Sequence, residues 1–144
     1  PKRDWSSDVC SSDLTVSLTG RVNYTITPTL SVQLYAQPFV SAGAYNAFTE
    51  VADARSQSFE GRFQPFAYDQ NAYGSPDFNV KLFRSTNVLR WEYKPGSTLF
   101  VVWQQARQNY GVPGGFDFGR DSRAIFDVPP HNVFLVKFSY WFNY

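Results

Sequence analysis

Residues 132–144 read NVFLVKFSYWFNY, and this stretch decides the fold class of the chain. Every second side chain along it is aromatic or aliphatic, and this row carries no charge. Successive side chains of a strand point to opposite faces, so the period of two predicts a long β-strand with one apolar face. The apolar row consists of Phe134, Val136, Phe138, Tyr140, Phe142 and Tyr144.

Four segments upstream show strand patterns as well. Residues 15–27 alternate between apolar side chains and Ser, Thr, Asn or Arg. Two tight turns are expected, one at Pro28 and one at the Lys-Pro-Gly-Ser sequence around Gly96. Because proline has no N–H to donate, Pro38 is predicted to end the second strand. The other predicted strands are residues 30–37, 86–93 and 98–107.

Two long segments between these strands have no sustained period. Residues 39–85 and 108–131 are therefore predicted to be long loops, with short helical segments expected at 49–55 and 121–126. Antiparallel pairing of the five strands would place both tight turns at one edge and both long loops at the other. This segregation of loop lengths is typical of outer-membrane β-barrels, whereas a soluble sandwich has no reason to show it.

The predicted fold is therefore all-β: an antiparallel up-and-down meander of about five long strands. It is expected to be part of an outer-membrane-type β-barrel that stays open, with short turns at one rim and long loops at the other. The smallest such barrels have about eight strands, and an open sheet edge cannot lie in hydrocarbon. Further strands are therefore expected upstream in the intact protein.

Composition excludes several other classes. The chain has 144 residues, of which 43% are hydrophobic and 17% charged, so it is not disordered. Its net charge of +1 supports no nucleic-acid partner. One cysteine, Cys10, excludes a disulfide framework and a cysteine-based metal site. No apolar run approaches the roughly 20 residues that a membrane-spanning helix needs.

The start of the chain has an unusual sequence. Residues 4–14 read DWSSDVCSSDL, which resembles a sequencing adapter translated in one frame. Residues 1–14 are accordingly expected to be a non-native tail, which is left out of fold reasoning. Residues 15–144 are expected to be the C-terminal fragment of an outer-membrane β-barrel domain.

The apolar row of the last strand has two interpretations. In a soluble sandwich it would be the core face, and in a membrane barrel it would face lipid. The second interpretation is favoured, because the opposite rows of the first two strands are polar and the chain ends on an aromatic residue. Such a strand resembles the signal that the outer-membrane assembly machinery recognises. The signal residues would be Phe138, Tyr140, Phe142 and Tyr144.

Charged residues on the opposite rows would then line the lumen of the barrel and set its charge. These candidates are Arg21, Arg90, Glu92 and Lys137. The expected location is the bacterial outer membrane, and the expected partners are its lipids and its assembly machinery.

Three segments resemble the C-terminal region of a bacterial domain-of-unknown-function family: FRSTNVLRWEYKPGSTLFVVWQQAR (83–107), LSVQLYAQPFVSAGAY (30–45) and PPHNVFLVKFSYWF (129–142). Proteins of that family join an N-terminal module similar to carbohydrate-binding family nine to a long, barrel-like β-region. The resemblance implies an outer-membrane location and a link to glycans through a module outside this chain. It implies no catalytic residue and no cofactor.

Other candidate sites are weaker. His131 with Ser122 and Asp127 could suggest a membrane-embedded hydrolase, but the spacing resembles no nucleophile motif. Asp117, Asp121 and Asp127 are expected to lie in a solvated loop with weak local ion pairs, because no calcium-loop spacing is present. The chain is therefore expected not to be an enzyme and to hold no metal.

Aromatic residues crowd the first long loop. They could stack on sugars, as in a soluble β-sheet carbohydrate-binding module, but packing within the loop is the commoner use and is favoured. These residues are Phe39, Tyr45, Phe48, Phe59, Phe63, Phe66, Tyr68 and Tyr73.

Overall fold

The computed structural model describes residues 10–111 and 115–142. The strands are β1 (Cys10–Ser17), β2 (Gly20–Thr27), β3 (Leu30–Asn46), β4 (Thr49–Val51), β5 (Phe63–Pro65), β6 (Phe78–Lys94), β7 (Ser97–Tyr110) and β8 (His131–Ser139). The helices are α1 (Phe59–Arg62), α2 (Gln70–Tyr73) and α3 (Phe118–Asp127).

The main sheet is antiparallel, as the sequence predicts. Its strand order is β1–β3–β6–β7–β8, and β2 also pairs with β3. β1 and β2 therefore lie along the same neighbour, β3. The first predicted strand, residues 15–27, covers β2 and only the end of β1, which begins at Cys10. The antiparallel sheet is confirmed, with six strands where about five were predicted, and the fold is mostly β rather than all-β because α3 spans ten residues. In the described part of the chain the sheet has two edges and does not close on itself.

The chain divides into two compact units. The loop unit contains the described parts of Pro1–Leu14, Ser41–Asn79 and Gly111–Phe116. The sheet unit contains Thr15–Val40, Val80–Tyr110 and Asp117–Tyr144, of which residues 143–144 are not described.

The prediction that Pro38 ends its strand is wrong, because β3 continues to Asn46. The Pro38 carbonyl accepts a hydrogen bond from the Leu18 amide at 3.1 Å. The reciprocal bond cannot form, since proline has no N–H. The interruption falls on the partner strand instead, between β1 and β2, while β3 stays paired with β6 on its other side.

The long strands extend further toward the loops than predicted. β6 begins at Phe78 and not at Thr86, and β7 reaches Tyr110, so both predicted loops are shorter. The helix expected at residues 49–55 is absent: β4 pairs there with β5 in a two-stranded ladder. The helical turn expected at residues 121–126 is part of the longer α3, which Asp117 caps by accepting the Arg120 amide at 2.7 Å.

The last strand is shorter than predicted and ends at Ser139. Ser139 pairs with Thr98, which lies one residue after the start of β7. Continuing the ladder would require partners in the turn that precedes β7. Instead, the Trp141 amide donates to the Ser97 hydroxyl at 3.0 Å.

Both tight turns lie at the same end of the sheet unit, as predicted. The turn after β2 contains Pro28 and Thr29, and the turn after β6 contains Pro95 and Gly96. The Glu92 amide at the end of β6 donates to the Thr29 carbonyl at 2.8 Å, which places the two turns side by side. The connections β3–β6 and β7–β8 therefore leave from the opposite end.

Candidate functional site

Registers in the sheet unit sort the residues of β6, β7 and β8 onto two faces. On one face, Leu89 pairs with Val101 and Val101 pairs with Val136. We call this the apolar face. Its paired rows are Trp91–Leu99–Phe138, Leu89–Val101–Val136 and Asn87–Trp103–Phe134.

The opposite face is called the polar face. On β6 and β8 it carries three of the four residues that were predicted to line a lumen. Phe100 pairs with Arg90 on one side and with Lys137 on the other. Arg90 also forms an ion pair with Glu92 at 3.6 Å. The sequence pattern thus places Arg90, Glu92 and Lys137 together on one face.

Arg21, the fourth candidate, belongs to the same face. Its guanidinium lies over the Tyr35 ring, 5.8 Å from the ring centroid, and Tyr35 is its register partner on β3. A recess of about 470 Å³ joins these residues to β6. Its lining consists of Arg21, Asn23, Gln33, Leu34, Tyr35, Thr86 and Val88.

A second, smaller recess of about 230 Å³ opens on the polar face. It contains Arg84, Gln104 and His131, and Ala106 is the register partner of both Arg84 and His131. Arg84 is a polar-face cation that sequence reasoning missed, because the strand was predicted to begin two residues after it. The alternation from Phe78 to Leu82 was the signal that could have extended the strand.

The apolar face is exposed in the sheet unit. Because Arg21 of β2 lies on the polar face, the alternate residues Val22 and Tyr24 lie on the apolar face. Tyr24 and Phe138 are each 65% exposed, and Val136 is 68% exposed. A soluble sandwich would bury these side chains under a second layer. In the described part of the sheet unit Ile125 of α3 is the buried hydrophobic residue, so the core lies at the helix and not over the strands.

Side-chain hydrogen bonds of Trp and Tyr residues lie at both ends of the apolar face. Toward the loops, the Trp103 indole donates to the Asn132 side-chain oxygen at 3.0 Å, and the Gln105 amide donates to the same oxygen at 3.2 Å. Toward the turns, the Tyr93 hydroxyl donates to the Ser139 carbonyl at 3.1 Å. Trp and Tyr with a bonded polar end are typical of membrane–water interfaces.

The height of this band follows from strand geometry. From Gln105 to Ser97 the strand rises about 27 Å at about 3.4 Å per residue. For a strand tilted by about 40°, as in outer-membrane barrels, the corresponding height would be about 21 Å. That height is close to the apolar band of about 25 Å that surrounds outer-membrane barrels.

Helix α3 packs against the sheet beyond the loop-side end of this band. Arg107 donates to the carbonyls of Phe126 at 2.7 Å and Val128 at 2.9 Å. Asn109 donates to the Ala124 carbonyl at 3.2 Å. By register these two β7 residues share the apolar face, which therefore becomes polar where the helix covers it.

A buried ion cluster holds α3 in place. The Asp121 carboxylate is 0% exposed and lies 3.7 Å from the Lys81 ammonium, whose side chain is 5% exposed. Arg120 donates to the same carboxylate at 2.9 Å, and this hydrogen bond raises the pKa of Arg120 above its usual value. The expectation that Asp121 lies in a solvated loop is wrong, because β6 begins early enough to bring Lys81 to it.

The terminal aromatic residues lie around the turn after β6. Phe138 stacks on Tyr93 with ring centroids 5.4 Å apart. The Lys94 ammonium lies 5.4 Å from the Tyr140 ring centroid, and Tyr140 contacts Phe142 with ring centroids 4.5 Å apart. Tyr144, the last predicted signal residue, lies outside the described residues.

In the loop unit the predicted aromatic residues pack on one another. Tyr68 stacks on Phe48 with centroids 4.3 Å apart and contacts Tyr73 at 5.7 Å. Phe59 and Phe63 form another pair at 4.9 Å. Packing, the favoured interpretation, accounts for these contacts, although Phe59 and Tyr73 also keep exposed faces.

The loop unit also contains one perturbed tyrosine. The Tyr45 amide donates to the Asp77 carboxylate at 2.8 Å. Partial burial, followed by the nearby carboxylates of Asp13 and Asp77, raises the pKa of the Tyr45 hydroxyl. This hydroxyl therefore stays protonated to higher pH than in water.

His131, Ser122 and Asp127 are not brought together as a hydrolase would need. His131 lies on the polar face at the start of β8, whereas α3 packs on the apolar-face side of β7. The Ser122 hydroxyl donates to the Phe118 carbonyl within its own helix. Among residues 10–111 and 115–142, no group of His, Cys, Asp or Glu has metal-binding geometry. None of the described helices is long and apolar enough to cross a membrane.

Comparison with known proteins addresses the family resemblance. No curated protein and no solved structure shows a significant match to the chain. A family model described as Domain of unknown function (DUF5916) matches residues 10–144, nearly the whole chain. The expected membership in a domain-of-unknown-function family is confirmed, and the chain belongs to this family.

Proposed function

We propose that the chain forms part of the wall of a bacterial outer-membrane β-barrel. The protein would act in transport, in surface binding or in anchoring a glycan-binding module. The apolar face carries the proposal: it has exposed side chains on β2, β6, β7 and β8. The exposed members include Val22, Tyr24, Trp91, Trp103, Phe134, Val136 and Phe138.

Energetics favours lipid over water at this face. Burying one such side chain contributes about 1.5–3 kcal/mol, so a sheet with this many exposed in water would aggregate. In a bilayer the same surface contacts acyl chains. The Trp103 and Tyr93 hydrogen bonds then lie where water begins.

The two open edges of the sheet also fit the proposal that it is part of a barrel. β8 forms one edge of the sheet, and β1 and β2 form the other. Each unpaired backbone group in hydrocarbon costs several kcal/mol. We infer that neighbouring strands of the barrel pair with both edges.

A matched pair of substitutions on β8 tests the proposal. Val136→Lys places a charge on the apolar face, and Leu135→Lys places the same charge on the polar face one residue away. Midplane lysines on the lipid face cost about 2–4 kcal/mol. We therefore expect Val136→Lys to reduce the inserted fraction at least about tenfold, and Leu135→Lys to change it little.

The measurement is protease protection after the urea-denatured intact protein, which supplies the strands that pair with both edges, is diluted into phosphatidylcholine vesicles. Equal insertion of the two variants would contradict a lipid-facing role for Val136. The alternative function, a soluble carbohydrate-binding module, makes a different prediction: the unmodified chain would be a monomer in water without detergent. That result would overturn the proposal.

A further inference from the structure

We propose that the polar face binds a small acidic sugar in the recess around Arg21. The proposal rests on the proposed function only in taking the polar face as the lumen side. It assigns a ligand class to a cavity of about 470 Å³, a volume that suits a small ligand.

Charge on the polar face favours an anion. Among the described residues of the sheet unit, four cations share this face with one carboxylate, Glu92; the cations are Arg21, Arg84, Arg90 and Lys137. Glu92 pairs with Arg90. In the described part of the chain, the ion pairs leave the other three cations without a carboxylate partner. A face with this excess of positive charge attracts anions and repels cations.

The recess also orients its arginine. The Arg21 guanidinium lies over the Tyr35 ring at 5.8 Å. The Tyr35 hydroxyl in turn donates to Gln37 at 3.1 Å, which fixes the ring. A guanidinium held in this way presents its planar fork of N–H groups, which matches a carboxylate with two hydrogen bonds.

The other polar groups in the recess match hydroxyl groups. Asn23 and Gln33 carry side-chain amides, and Thr86 carries a hydroxyl. Each of these groups can both donate and accept a hydrogen bond. A ligand that bears a carboxylate and several hydroxyl groups uses both parts of the recess, and acidic sugars have this chemistry.

The test measures binding to the whole 144-residue chain in detergent micelles by calorimetry. The three probes are digalacturonate, the uncharged disaccharide galactobiose, and inorganic phosphate. We expect digalacturonate to bind at least about tenfold more tightly than either of the others, because a charge-assisted bond and the hydroxyl contacts act together. Equal affinity for galactobiose or for phosphate would contradict an acidic-sugar site.

Substitutions locate the site. Arg21→Gln should weaken digalacturonate binding at least about tenfold, and Arg21→Lys should weaken it less, since it keeps the charge and loses the fork. Arg123→Gln removes an exposed guanidinium from α3 and should leave the affinity unchanged. Unchanged binding in Arg21→Gln, or equal loss in Arg123→Gln, would overturn the assignment.

The two proposals fail separately. Binding in micelles does not depend on insertion into vesicles. A chain that binds digalacturonate but inserts equally well with Val136→Lys would refute the membrane role alone. A chain that passes the vesicle test but does not prefer digalacturonate would refute the ligand assignment alone.

Discussion

Single residues decide how α3 is attached to the sheet unit. Asp121 is the most buried side chain of this helix, and a carboxylate without partners in such a position would be strongly unfavourable. Its two oxygens interact with Lys81, with Arg120 and with the Asp117 amide at 2.9 Å. Removing the charge leaves the Lys81 ammonium buried without its counterion.

We therefore expect Asp121→Asn to lower the free energy of unfolding by about 3 kcal/mol, the range seen when a buried pair loses one member. Asp127→Asn, at the exposed last residue of α3, is the matched control and should change it by less than about 0.5 kcal/mol. Urea denaturation in detergent, followed by tryptophan fluorescence, gives both values. Equal stability of the two variants would show that the Lys81 contact contributes nothing.

At the scale of the element, the tight turn after β6 combines a backbone requirement with a packing contact. Gly96 has φ = 77°, a left-handed conformation, and follows Pro95, which is the arrangement of a type II turn. A Cβ at Gly96 would lie 3.2 Å from Trp141. The sequence Lys-Pro-Gly-Ser identifies the turn, but only the folded chain brings Trp141 over it.

Gly96→Ala is expected to destabilise the protein by about 1–2 kcal/mol, because a side chain disfavours the left-handed conformation. Gly20→Ala in β2 is the control: its Cβ would meet only the Ala36 carbonyl, at an ordinary 3.8 Å. The same denaturation experiment compares the two. A loss with Gly20→Ala as large as that with Gly96→Ala would remove the turn conformation as the cause.

Strand ends are the elements that sequence reasoning located least well. The alternation of Leu89, Trp91 and Tyr93 predicted the centre of β6. Its start at Phe78 was missed because Arg84 and Ser85 place polar side chains on both faces and interrupt the alternation that runs from residue 78 to residue 82. The strand that contains Pro38 was also predicted too short, because Pro38 was expected to end it. Its missing N–H interrupts the neighbouring strand, because β3 keeps its ladder with β6.

At the scale of the whole molecule, the proposed function requires a signal for assembly into the membrane, and the aromatic residues after β8 are the candidates. Two residues that follow β8 lie at the turn that contains Gly96: Tyr140 is near Lys94, and Trp141 is bonded to Ser97. Phe142 remains exposed. Under the proposed function, Tyr140 and Phe142 belong to the signal that the assembly machinery would recognise.

Deleting residues 142–144 from the full-length protein should abolish its assembly into the outer membrane, since the terminal aromatic residues would be lost. Phe118→Ala, which removes an exposed aromatic side chain from α3, should leave assembly unchanged. Membrane fractionation of a bacterial host reports both outcomes. Normal assembly of the deletion variant would count against a C-terminal signal.

The sequence by itself determined the centres of the long strands, the two tight turns, the antiparallel order, and the two faces of every long strand except β7. Each of these follows from local backbone geometry, in which side chains alternate and Pro and Gly restrict the turns. The tertiary structure alone decided that Lys81 meets Asp121, that α3 covers only one end of the apolar face, and that Arg21 shares a recess with Thr86. These contacts join residues that are distant along the chain, and they depend on strand register, which no local pattern encodes.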